Sequence, residues 1–163
     1  GVHAYPAACA IAESMDLDAK HVLLVAPTRL GVGVHHSRHF ETSEAVEERV
    51  QRLREGEAPV VLAVDAPLGT KGAAWAREIA AACSASALWM LADAGRKTED
   101  LADQVARLGR VDGLVVHGAD ATRDPASVLA LGVPVALLAG KRATRAVWSA
   151  FLTARILDDE ADE

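Results

Sequence analysis

Asp65 closes the apolar run Val60-Val61-Leu62-Ala63-Val64 and opens the turn-like stretch Ala66-Pro67-Leu68-Gly69. A carboxylate at such a junction serves one of two purposes. It binds a ligand or its metal, or it caps the helix that follows. The placement recurs: Asp93 ends the apolar run 87–92, and Asp120 follows His117-Gly118-Ala119 at the end of 113–116. Cationic side chains stand at comparable positions, Arg29 beside Thr28, Arg96 with Lys97, and Lys141 with Arg142. Carboxylates and cations along one edge suit an anionic or metal-bound ligand, although Lys141 and Arg142 also fit a solvated loop. His35, His36 and His39 raise a metal question, since one helical turn would bring His35 and His39 together. No third ligand follows at a suitable spacing, so a solvated surface cluster is the favoured reading and no metal is expected. Cys9 and Cys83 lie in Ala-rich helical stretches and read as structural thiols. No Ser–His–Asp order and no reactive-cysteine setting stands out, so no catalytic residue is assigned.

The elements that would position these residues are legible from periodicity. Five apolar runs, 21–26, 60–65, 87–93, 113–118 and 134–140, lack the alternation of a half-exposed strand. Each therefore suits a parallel strand buried on both faces. Helical patterns separate them: about Pro6 to Met15, Glu41 to Arg54 with Thr42 or Ser43 as N-cap, Gly72 to Cys83, Thr98 to Leu108 with Thr98 as cap, and Arg145 to Leu157. Ser127 to Leu131 makes one turn before Gly132 and Pro134 stop it. Alternating helix and strand predicts an α/β fold, a three-layer α/β/α sandwich with a mostly parallel sheet. Ligands of such sheets bind at the carboxyl ends of the strands, where the three aspartates lie.

The chain has 163 residues, 51% hydrophobic and 4% aromatic, with a net charge of −6. That length supports one domain able to bury roughly 70% of its unfolded surface. We expect a single α/β domain over 1–157 and a solvated acidic tail over 158–163, whose sequence is DDEADE. An acidic chain without a basic run is a poor partner for nucleic acid or an anionic membrane. No run approaches the length of a membrane span. A cytoplasmic location is the expectation.

The order of the strand ends resembles the GTPase domain of the signal-recognition-particle family, in particular its flagellar-placement branch, a P-loop-NTPase-like fold. The segment "GVHAYPAACAIA" sits where that family has its G-x-G-K-T-T phosphate loop and following helix. "VAPTRLGVG" is similar to the Asp-Thr-Tyr-Arg-like element in Thr28, Arg29 and Gly31. Asp65 to Gly69 falls on the metal-side Asp-Thr-Ala-Gly-Arg element, and "LADAGRKTEDL" is the closest local match. His117-Gly118-Ala119-Asp120 falls on the base-reading Thr-Lys-x-Asp, and "LGVPVALLAGKR" on the last strand and closing loop. The resemblance marks Gly1, Thr28, Arg29, Asp65, Gly69, Asp120 and Lys141 as vestigial nucleotide-binding positions.

The departures fall on the chemistry. The loop lysine is replaced by Ala4, and Tyr5 and Pro6 follow it. A phosphate loop needs converging N–H groups, a lysine and a metal-binding hydroxyl. Here the lysine and hydroxyl are gone, and Pro6 and Pro67 each remove an N–H. Asp120 lacks its lysine partner, Gly118 standing in that place. A placement of the loop at "APTRLGVGVHH" also lacks lysine. The resemblance further implies a central strand ahead of the phosphate loop. Either that strand lies elsewhere in a longer protein or the strands pair in another order, and a gap or unusual neighbour is expected beside Val60–Asp65.

Two functions follow. The first is a degenerate GTPase-like domain without cofactor, a non-catalytic binding or regulatory module. The alternative is an active GTP-binding or GTP-hydrolysing enzyme using GTP with Mg. The resemblance implies dimerisation across the nucleotide face, so a protein partner or homodimer through the strand-end edge is expected.

Overall fold

The computed structural model describes residues 4–27, 34–56 and 58–161, the side chains of the last four excepted. Gly1, Thr28 and Arg29, three of the expected nucleotide-binding positions, lie outside the described residues. The chain divides into two compact units, Gly1–Leu88 with Ala102–Val111, and Trp89–Leu101 with Asp112–Glu163.

The first unit is built on β1 (Val22–Val25), β2 (His39–Phe40) and β3 (Val61–Val64), in sheet order β2-β1-β3 and all parallel. Val22 pairs with Val61 and Val25 with Val64, while Leu24 pairs with His39. All four residues of β1 are buried, which explains its unbroken apolar sequence. Its alternate side chains serve two separate clusters. Val22 and Leu24 pack with Ala8 and Ala12 of α1 (Ala4–Ser14). Leu23 and Val25 pack with Val46 and Val50 of α2 (Ser43–Arg54) and Ile79 of α3 (Thr70–Ala82). Helices thus cover both faces of this sheet. Alanines at positions 8 and 12 let α1 lie close to the strands.

Side chains fix the helix ends. Thr42 Oγ1 accepts from the Ala45 N–H at 3.3 Å as the N-cap of α2. Ser43, the other expected cap, is instead the first helical residue and donates to Glu78 Oε1 at 2.7 Å, tying α2 to α3. At the far end Arg54 donates to the carbonyls of Cys83 (2.6 Å) and Ser84 (3.2 Å), carbonyls that no further helical turn would satisfy.

The second unit carries β4 (Trp89–Asp93), β5 (Gly113–His117), β6 (Val135–Leu138) and β7 (Lys141–Arg142), in that sheet order. The first three are parallel, and β7 returns antiparallel to β6. Ala139 and Gly140 make the two-residue connection, with φ of 46° and 76°. Two successive positive φ values are what a tight hairpin turn between right-twisted strands needs. Ala136 is an extra residue between the pairs Leu114–Val135 and Val115–Leu137, a bulge in β6. A 3-10 helix spans Pro125–Leu131, longer than the single turn expected, and ends at Gly132. α5 (Arg145–Ala161) runs into the acidic stretch expected to be a tail. α4 (Thr98–Leu108) is divided between the two units after Leu101.

The architecture is α/β with predominantly parallel sheets, as the periodicity predicts. The short strands β2 and β7 are additions to it. β3 lies at the end of its sheet and β4 at the end of the other, each paired on one side only among the described residues. That open side of β3 is where an unusual neighbour was expected. Among the described residues, no helix is long and apolar enough to cross a membrane.

Candidate functional site

Parallel strands deliver their carboxyl ends to one edge of each sheet, and the sequence places its polar residues there. In the second unit that edge is best defined. The β4–β5 ladder continues past β4, with the Ala94 N–H donating to the His117 carbonyl at 2.9 Å. Asp93 is half-buried, and its Oδ1 accepts from the Gly95 N–H at 2.9 Å while its carbonyl accepts from the Arg96 N–H at 3.1 Å. This carboxylate shapes the turn that leads into α4. The same oxygen fixes its neighbour: a methyl on Gly118 would sit 2.8 Å from Asp93 Oδ1. Gly118 also has φ of 65°, so glycine is required there on two counts.

Gly118 opens the 3-10 turn Ala119–Ala121, which holds Asp120. The Asp120 side chain is exposed, and its carbonyl accepts from Arg155 of α5 at 2.7 Å. Lys141 is exposed in β7, immediately after the Ala139–Gly140 turn. The structure therefore brings Asp93, Asp120 and Lys141 to the ends of neighbouring strands. Arg96 reaches Asp100 at 3.9 Å, one helical turn on. Thr98 is the first residue of α4, and the Lys97 carbonyl accepts from the Leu101 N–H at 3.2 Å, so Thr98 is not the cap.

In the first unit Asp65 extends the β1–β3 ladder by donating its N–H to the Val25 carbonyl at 2.8 Å. The N-cap of α3 is Gly69, four residues later, with φ of 94°, and its carbonyl accepts from the Ala73 N–H at 3.0 Å. Pro67 lies so close to α3 that a methyl on Gly72 would collide with the Pro67 carbonyl oxygen. Leu68 is left 72% exposed at the tip of this loop.

Pro6 lies within α1, two residues after Ala4, the first described residue of that helix. Burial first, then the neighbouring Cys9, raises the Tyr5 phenol above its ordinary value, and Arg38 pulls the other way. This group of Tyr5, Cys9 and Arg38 was not visible in the sequence, where Arg38 is 33 positions from Tyr5. Asp93 and Gly118 were visible only as separate strand ends. An Asp-x-Gly after one strand and a Gly after the next were the available signals.

The histidines are separated by the fold. His35 precedes a 3-10 turn over His36–Arg38, and His39 starts β2, so no single helix carries His35 and His39. His35 instead accepts or donates at Ser37 Oγ (2.8 Å) and lies with its ring centroid 4.2 Å from that of His36. Among the described residues no group of three or more His, Cys, Asp or Glu is placed to hold a metal ion.

These edges carry both signs of charge: carboxylates at 65, 93 and 120, and in the second unit the exposed Lys97, Lys141 and Arg142. Comparison with family models, curated proteins and solved structures finds no match to this chain.

Proposed function

We propose that this chain is a degenerate GTPase-like domain of the signal-recognition-particle type, a three-layer, P-loop-like fold serving as a non-catalytic binding or regulatory module. The observation that carries the reading is the identity of the first described residues of α1: Ala4, Tyr5 and Pro6 stand at the place where the resemblance requires a lysine and a metal-binding hydroxyl. Helices on both faces of the first sheet and the parallel order β2-β1-β3 support the fold part of the proposal.

A nucleoside triphosphate carries several negative charges, and this chain has a net charge of −6. Without the lysine and the hydroxyl, backbone dipoles alone would have to offset that repulsion. The positions Gly1, Thr28, Arg29, Asp65, Gly69, Asp120 and Lys141 are then remnants, and the domain works without GTP or Mg. The strand-end loops serve as a docking edge for a cytoplasmic protein partner or a second copy.

Calorimetric titration with GTP, GDP and ATP plus magnesium tests the reading. The expected result is no hydrolysis and no binding tighter than about 1 mM, where only about 4 kcal/mol is available. A micromolar dissociation constant abolished by Asp120→Ala would establish the alternative, a live GTP site.

A further inference from the structure

We propose that β7 is a terminator of the second sheet, closing the edge of β6 and keeping a strand of a second copy from adding there. β6 needs such a cover. Its residues, Val135, Ala136, Leu137 and Leu138, carry no charge. A strand of that kind left at a sheet edge offers a row of unpaired N–H and C=O groups to any other chain. Here the chain turns back along it at once. Leu138 pairs with Lys141 and Leu137 with Arg142, and the Ala143 N–H donates to the Ala136 carbonyl at 2.9 Å.

The outer edge of β7 remains, and the ladder decides what it offers. In an antiparallel pair, residues that bond across the pair alternate with residues whose N–H and C=O point away. Ala143 bonds to Ala136, and Lys141 closes the two-residue turn at Ala139–Gly140. Arg142, between them, is therefore the residue whose backbone groups face outward. Towards the N-terminus this edge ends at the turn. Towards the C-terminus it ends at Thr144, whose Oγ1 accepts from the Val147 N–H at 3.2 Å as α5 begins.

An incoming strand thus finds one residue to bond, and that residue is an arginine. Lys141 and Arg142 are both exposed and, as neighbours in a strand, stand on opposite faces of the sheet. A cation flanks the edge on either face. Two copies meeting edge to edge about a two-fold axis would set Arg142 directly opposite Arg142, and like charges so placed oppose pairing. This role of Lys141 is independent of the nucleotide reading, in which the same residue is a remnant.

Sedimentation velocity and thioflavin T fluorescence on the full chain, from about 1 to 500 μM, test this. Lys141→Val combined with Arg142→Val should lower, by about tenfold or more, the concentration at which species larger than the parent's appear. Those species should bind the dye. The chain has a net charge of −6, so losing two cations increases its overall self-repulsion, and only a local effect at the edge predicts association. Lys141→Arg combined with Arg142→Lys keeps both charges and should behave as the parent. Arg123→Val removes an exposed cation that lies in no strand, and should also behave as the parent. A double valine variant indistinguishable from the parent would overturn the proposal, as would equal association of Arg123→Val or of the charge-preserving swap. Circular dichroism on each variant confirms that it is folded before it is scored.

Discussion

Gly118 shows how much of the second unit's strand-end edge rests on one missing side chain. Its left-handed backbone and the 2.8 Å approach of Asp93 Oδ1 act together. Gly118→Ala should cost about 2 kcal/mol or more, from positive-φ strain and from displacement of the Asp93 carboxylate. The check is a denaturant midpoint, with Asp93→Ala as companion. If the clash carries the cost, Gly118→Ala should destabilise less when Asp93 is already alanine. Asp65 illustrates what spacing cannot convey. The sequence marks it as a strand end, and so it is. The identity of the cap was hidden, because Gly69 takes that role through a φ of 94°, which no periodicity encodes. The Tyr5–Cys9–Arg38 group was hidden for a different reason, since only the fold brings distant positions together.

At the scale of elements, the apolar runs announced β1, β3, β4, β5 and β6, but the expected burial on both faces holds for β1 and β5 alone, β3 and β6 being partly half-buried and β4 leaving Trp89 42% exposed. β2 and β7 are two residues each and too short for any periodic signal. The α2 start was legible as Thr42 or Ser43, and the hydrogen bond to Ala45 decides for Thr42. Thr42→Ala should destabilise the chain by about 1 kcal/mol, while Thr42→Ser should be close to neutral. Thermal melts of both variants provide the comparison. The carboxyl of Glu44 is held below its ordinary value, first by its own backbone N–H and then by the Thr42 side chain. Its titration by NMR should therefore move upward in Thr42→Ala, an independent readout of the same cap.

For the whole molecule, the informative titrations lie on the alkaline side. Burial raises the Cys83 thiol above its ordinary range, with Arg54 opposing, and Tyr5 is shifted in the same direction. A group raised in the folded state ionises first in the unfolded chain. Stability is then fully present below the unfolded pKa, about 8.5 for a thiol, and is lost as pH rises through the folded value. Melting temperature should fall as pH rises above about 8.5, and Cys83→Ala should make that fall shallower whatever it does to the starting value. An unchanged slope would show that Cys83 does not contribute.

The register of the first sheet also sets how the chain must find its structure. Val22 pairs with Val61, and α2 with its flanking loops lies between them. A parallel pairing cannot grow from a tight turn, so the ends of this long loop must meet before any ladder bond repays the lost chain entropy. The β6–β7 turn, by contrast, closes over two residues and can form within microseconds. Refolding of the β1–β3 pair should consequently lag local structure by orders of magnitude, in the millisecond range or slower. During that interval the apolar strands of the first unit are open to wrong partners. Dilute, slow refolding should recover more native protein than rapid refolding at high concentration.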